Sequence, residues 1–221
     1  MRIVIFSDLH DLEIRRPKRL PPIELSLPEC DLALFCGDAC NWGTWNEWVR
    51  FCRWYGRQKA TFRLAIGGNH DNPLLYAKRA WAAIEAQKNS ITYLQDSSTE
   101  VLGLSIYGSP WTPYFGGTEV FHHPAGSESL RAIWARVPAA TDILLTHGPA
   151  LGLLDSSNED EGHRGDELLL EAIDRVQPRL HAFGHVHDSY GQLQHGPTLV
   201  VNASLVDSGY NLVHAPIVLD L

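Results

Sequence analysis

The 221-residue sequence has no apolar run approaching the roughly 20 residues that span a bilayer, which excludes a helical membrane span. It also lacks an excess of positive charge: 18 basic residues stand against 26 acidic ones, a formal charge of −8. With no net electrostatic pull towards nucleic acid or anionic lipid, neither a long nucleic acid nor a membrane is an expected partner. The densest basic group, Arg15-Arg16-Pro17-Lys18-Arg19, reads as a solvated Pro-rich loop rather than a binding patch. Cysteine is scarce. The four present (Cys30, Cys36, Cys40, Cys52) show no CxxC spacing, so buried free thiols are expected in place of a zinc site or disulfides. No repeat, low-complexity stretch or linker divides the chain, and one domain over 1–221 is expected. The opening Met1 to Asp8 is too short in its apolar part for a secretory signal and reads as the first strand of a cytoplasmic protein.

What is present is an ordinary globular composition, 44% hydrophobic and 20% charged, in which short apolar runs alternate with amphipathic stretches. That alternation predicts an α/β layered fold. The expected strands are Arg2–Ser7, Leu32–Cys36, Phe62–Ile66, Leu104–Tyr107, Asp142–Thr146, Leu180–Phe183, Gln192–Gln194, Leu199–Asn202 and Pro216–Leu219. Helices are expected over Trp45–Arg57, Pro73–Ala86, Ser129–Arg136 and Glu167–Val176, the first opened by a capping box of Thr44 and Glu47.

Five of the expected strands run into a turn bearing an acid, an amide or a histidine. The turns are Asp8-Leu9-His10, Gly37-Asp38, Gly68-Asn69-His70-Asp71, His147-Gly148 and Gly184-His185-Val186-His187. In open α/β sheets ligands bind at the carboxyl ends of strands, so these turns are expected to converge. Their glycines suit tight turns and close backbone approach. The pooled side chains (Asp8, His10, Asp38, Asn69, His70, His147, His185, His187) are nitrogen and oxygen donors without sulfur, which suits Mn, Fe, Zn or Ni. They are too many for one ion, whose shell takes about four to six ligands, and two ions need a bridging carboxylate for which Asp38 is the natural choice. Asp71, placed before Asn72-Pro73, reads as a helix N-cap that also orients His70.

These ordered blocks resemble the calcineurin-like metallophosphoesterase superfamily. Asp38-Ala39-Cys40-Asn41-Trp42-Gly43, Tyr107-Gly108-Ser109-Pro110-Trp111, Thr146-His147-Gly148-Pro149 and Val201-Asn202-Ala203-Ser204 are similar to its small MPPED-type branch. The resemblance implies a four-layer αββα sandwich and a dinuclear, metal-dependent phosphodiesterase. It would attack small phosphodiesters, cyclic nucleotides among them, through a metal-bridging hydroxide. Carried over by position, one metal falls to Asp8, His10, Asp38 and His187, and the other to Asp38, Asn69, His147 and His185; manganese is the first choice, with iron, zinc or nickel as alternatives. His70, held by Asp71, is expected to protonate the leaving oxygen, and Asn41, Trp111 and His163 to touch substrate. Trp111, between Pro110 and Thr112, reads equally as loop packing, and the 155–166 segment as a solvated loop before a lid. The superfamily's Ser/Thr phosphatases carry an arginine clamp after the bridging aspartate, where this sequence has Asn41-Trp42. The missing clamp favours a diesterase, with a phosphomonoesterase or phosphoprotein phosphatase as the alternative and a metal-free scaffold a distant third.

Overall fold

The computed structural model describes residues 1–11, 25–75, 79–114, 116, 120–157 and 160–220, and the basic segment 15–19 lies outside them. Two sheets lie at the centre. In the first, β1 (Arg2–Phe6), β2 (Cys30–Phe35), β3 (Ala60–Ala65) and β4 (Thr92–Tyr93) are parallel neighbours, and β15 (Ile217–Asp220) closes the other edge antiparallel to β1. The second runs in the order β13 (Gly191–His195), β14 (Thr198–Asn202), β12 (Leu180–Phe183), β9 (Ile143–Thr146), β6 (Leu104–Ser109) and β5 (Ser97–Val101). Its four inner strands are parallel and its two edges antiparallel.

Strand alternation builds the layers. In β1, Ile3 and Ile5 pack between the sheets against Ile143, Leu145 and Val201, whereas Val4 and Phe6 point outward. There they meet α1 (Trp45–Gly56) and α2 (Arg79–Lys88) through Trp48, Tyr55, Ala82 and Ala86. On the far side Leu144, Phe183 and Val200 pack against α3 (Glu128–Trp134) and α4 (Glu167–Val176). Three apolar layers separate four layers of structure, the αββα sandwich expected. All four cysteines are buried free thiols. Thr44 and Glu47 form the capping box that opens α1, Thr44 N–H donating to the Glu47 carboxylate at 2.7 Å.

Two expectations fail. The helix expected over Pro73–Ala86 forms in its second part, as α2 from Arg79, whereas its expected start is a single 3₁₀ turn, Asn72–Leu74. Leu75 turns extended and ends it, while Leu74 is drawn into the core beside the first sheet. Strand β5 was not expected: Ser97-Ser98-Thr99-Glu100-Val101 has one apolar residue, because an edge strand buries little. Two short pairs complete the fold, β7 (Thr112–Pro113) with β8 (His122–His123) and β10 (Ser156–Ser157) with β11 (Asp160–His163).

Candidate metal centre

The carboxyl ends of β1, β2, β3, β9 and β12 open at one edge of the sandwich, and a bridge from Ser7 to Ser204 ties the two sheets there. The chain leaves these strands in strained turns. Asp8, His10, Asp38 and His185 have φ of 59°, 45°, 59° and 67°, the left-handed region that side chains other than glycine avoid. Such strain clusters at functional sites, where surrounding contacts hold it. Those contacts are visible. Asp8 N–H donates to the Gly37 carbonyl at 3.0 Å, and Leu9 and His10 N–H groups both donate to the Asp38 carbonyl at 2.9 and 3.0 Å. Two glycines let the carboxylates approach: a Cβ on Gly68 would lie 2.2 Å from Asp38 Oδ1, and one on Gly184 2.2 Å from Asp8 Oδ2.

All seven residues assigned to metals from the sequence sit at this edge. Asp8, His10 and His187 form one donor cluster and Asp38, His147 and His185 another, while a third joins His10, Asp38 and His70. Asp38 faces both sides: its Oδ2 is 3.6 Å from His10 Nε2 and 3.3 Å from His147 Nε2. Asn69 presents Oδ1 to His147 Nε2 at 2.8 Å.

Tautomers decide whether cations fit. His147 Nδ1 donates to the Cys36 carbonyl at 2.9 Å, so its neutral form leaves a lone pair on Nε2. That lone pair faces the Asn69 and Asp38 oxygens, which only accept. His187 repeats the pattern: Nδ1 donates to the Asp207 carbonyl at 3.1 Å, leaving Nε2 to face His10 Nε2 at 3.3 Å and Asp8 Oδ1 at 3.7 Å. Acceptors gathered face to face need a cation between them, either protons or metal ions. The donor set therefore fits two cations. Without metal, the electrostatics of the site make the same demand. Burial disfavours the His147 charge, but Asp38 reverses this and raises His147 to about 9. Burial opposes the Asp8 charge too, yet the His187 hydrogen bond and charge bring Asp8 down to about 2. Burial alone dominates at His10 and His185, both pushed down to about 3 and so kept as neutral ligands.

The remaining assignments are revised. Asp71 neither caps the turn after it nor orients His70. Its buried carboxylate accepts N–H groups from Asp38, Cys40 and Gly68 at 3.0, 2.9 and 2.9 Å. Burial and the Asp38 charge push it up to about 6, against the pull of those donors. His70 is held by Asn41, whose carbonyl accepts from Nδ1 at 2.9 Å. Asn41 thus acts through its backbone and does not line the cavity above the site. Trp111 also misses the cavity, its Nε1–H bound to Asp96 at 3.0 Å and its ring stacked on His123 at 4.7 Å. His163 turns to Asp155, 2.8 Å away, and stays outside as well.

The cavity wall includes residues the sequence reading overlooked: Thr112, His122, Arg164 and Tyr210. The Tyr210 ring meets His10 and His187 edge-on, with centroids 4.7 and 5.2 Å apart. Only Arg164 carried a signal, its place beside His163.

Comparison with known proteins agrees with this geometry. The calcineurin-like phosphoesterase family model matches residues 1–189. Metallophosphoesterase domain-containing protein 1 of Homo sapiens is 35% identical over 243 residues, covering 100% of this chain and 71% of its own length. A UPF0046 protein of Caenorhabditis elegans is 32% identical, with 88% of this chain and 55% of the relative aligned. Among solved structures, a phosphopantetheinyl hydrolase of Mycobacterium tuberculosis shares the fold at 12% identity, with a TM-score of 0.62 over 94% of this chain and 90% of its own. The match spans the strands and turns that carry the converging donors, and so the chain belongs to the calcineurin-like phosphoesterase family of dinuclear metal-dependent phosphoester hydrolases.

Proposed function

We propose that the protein is a phosphodiesterase of small diesters, cyclic nucleotides among them, working with two transition-metal ions of which manganese is the first choice. The observation that carries this is the shared Asp38 carboxylate between two sets of imidazoles, each set with its bare nitrogens turned inward. Asp8, His10, Asp38 and His187 would hold one ion, and Asp38, Asn69, His147 and His185 the other. When bound, such ions polarise phosphoryl oxygens, offset charge developing in the transition state and activate water as the nucleophile.

The chain's own contribution beyond ligation centres on His70, which lines the cavity. Its Nδ1 proton is committed to the Asn41 carbonyl, so in the imidazolium form the second proton sits on Nε2 and is the one available to the leaving oxygen, which leaves the ring neutral. The His70 backbone N–H donates to Asp38 Oδ1 at 2.9 Å, which fixes this histidine relative to the bridging carboxylate.

The test is a screen of monoesters and diesters against protein reconstituted with Mn, Fe, Zn or Ni. Bis(p-nitrophenyl) phosphate should be cleaved faster than p-nitrophenyl phosphate. A monoesterase preference would favour the second reading, a phosphomonoesterase or phosphoprotein phosphatase, which the presence of Arg164 on the cavity wall supports.

A further inference from the structure

The cavity above the site has a volume of about 420 Å³, a size that accepts a small substrate. Its described lining includes the acidic residues Asp38 and Asp188 and one arginine, Arg164. Arg164 lies in the turn from β11 to α4, and Asp155 pins that turn. Arg164 N–H donates to the Asp155 carbonyl at 3.0 Å, Gly165 N–H donates to the carboxylate at 3.0 Å, and His163 Nδ1 lies 2.8 Å from its other oxygen. Gly165 lets the turn pass close against Ala150, since a Cβ there would fall 2.4 Å from the Ala150 carbonyl. The backbone of Arg164 is thus fixed at the cavity wall, and its long side chain starts from a set position.

We propose that Arg164 sets the balance between monoesters and diesters by binding the terminal phosphoryl oxygens of a monoester dianion or of inorganic phosphate. The inference rests on the hydrolase reading above. A guanidinium is always charged, and its planar fork pairs with two oxygens of one phosphate. A monoester brings one more negative charge and one more terminal oxygen than a diester, so it gains more from this partner. The arginine missing after Asp38 therefore has a counterpart arriving from another part of the chain.

The experiment uses p-nitrophenyl phosphate, bis(p-nitrophenyl) phosphate and inorganic phosphate on wild type, Arg164→Gln and Arg164→Lys of measured metal content. Arg164→Gln should lower monoester kcat/KM by roughly 10- to 100-fold, as expected for a lost charge-assisted pair, with a much smaller loss for the diester. Phosphate affinity by calorimetry should weaken in parallel, and Arg164→Lys should recover part of both. Equal losses on the two esters, or unchanged phosphate affinity in Arg164→Gln, overturn the inference. A wild type that binds phosphate through Arg164 yet cleaves no ester overturns the hydrolase reading alone.

Discussion

The Asp71 carboxylate accepts the backbone N–H of Asp38 at 3.0 Å, tying the turn after β3 to the residue that faces both donor clusters. With Cys40 and Gly68 donating to the same carboxylate, Asp71 sets the course of the chain through the site.

Asp71→Ala should therefore act on metal binding without removing a ligand. Several buried N–H groups would lose their acceptor, at about 1–3 kcal/mol for each group left unsatisfied. The expected outcome is a clear fall in melting temperature together with loss of bound metal, read by calorimetry and elemental analysis. A stable variant with full metal content would show that the loop holds its shape without the carboxylate.

Asp38 should be the most damaging single ligand to lose. Its Oδ2 faces His10 and His147 at once, so Asp38→Asn weakens both donor clusters, whereas His185→Ala opens one. Purified wild type should carry close to two transition-metal ions per chain, and chelation should abolish hydrolysis. Asp38→Asn should retain less metal than any single histidine variant. If one histidine variant empties the site as fully, Asp38 is not the bridge.

His70 can be separated from the ligands by its leaving-group dependence. General acid help is worth about 10²–10⁴ in rate, and only where the leaving group is a poor one. An alkoxide from a ribose needs the proton; a nitrophenolate hardly does. His70→Ala should cost cyclic-nucleotide hydrolysis far more than nitrophenyl-diester hydrolysis, with metal content unchanged. Equal losses on both would remove the proton-transfer role, and metal loss would place His70 with its neighbours His10 and Asp38 as a ligand.

The layered fold was legible because the unbroken apolar run Ile3-Val4-Ile5-Phe6 is what burial on both faces of a parallel strand requires. The donors were legible because glycine beside an acid or histidine at a strand end is a local pattern. What was not legible depends on distance in the chain. Asp71 serves a segment more than 30 positions away, and Asn41 orients His70 with a carbonyl that any residue could supply. Arg164 and Tyr210 reach the cavity through turns whose course is set by tertiary contacts, such as Gly165 against Ala150. Only the start of the Pro73–Ala86 helix misled, because helical periodicity on paper lost there to the burial of Leu74.

His181, buried in β12, should make the second sheet sensitive to acid. Thr146 O–H donates to the Gly148 carbonyl at 2.7 Å, so Thr146 Oγ1 must accept from His181 Nε2–H at 2.8 Å. The other ring nitrogen, Nδ1, is buried and has no partner among the described residues. Burial pushes the His181 pKa down from 6.5 to about 3, because a charged imidazolium there would lose its hydration. The unfolded chain binds this proton below about pH 6.5 and the folded chain does not until about pH 3. Stability attached to His181 is thus fully present above pH 6.5 and is lost as the pH falls through the window between those values. At pH 5 the loss is about 2 kcal/mol, from about 1.4 kcal/mol for each pH unit below 6.5. Urea unfolding of chelator-treated wild type and His181→Gln at pH 7 and pH 5 isolates the effect, since the metal ligands titrate alike in both proteins. The variant keeps an N–H donor but cannot titrate, so it should lose about 2 kcal/mol less between the two pH values. Equal losses would mean that His181 takes up its proton in the fold, and that the apolar packing around β12 gives way to charge more easily than its burial implies.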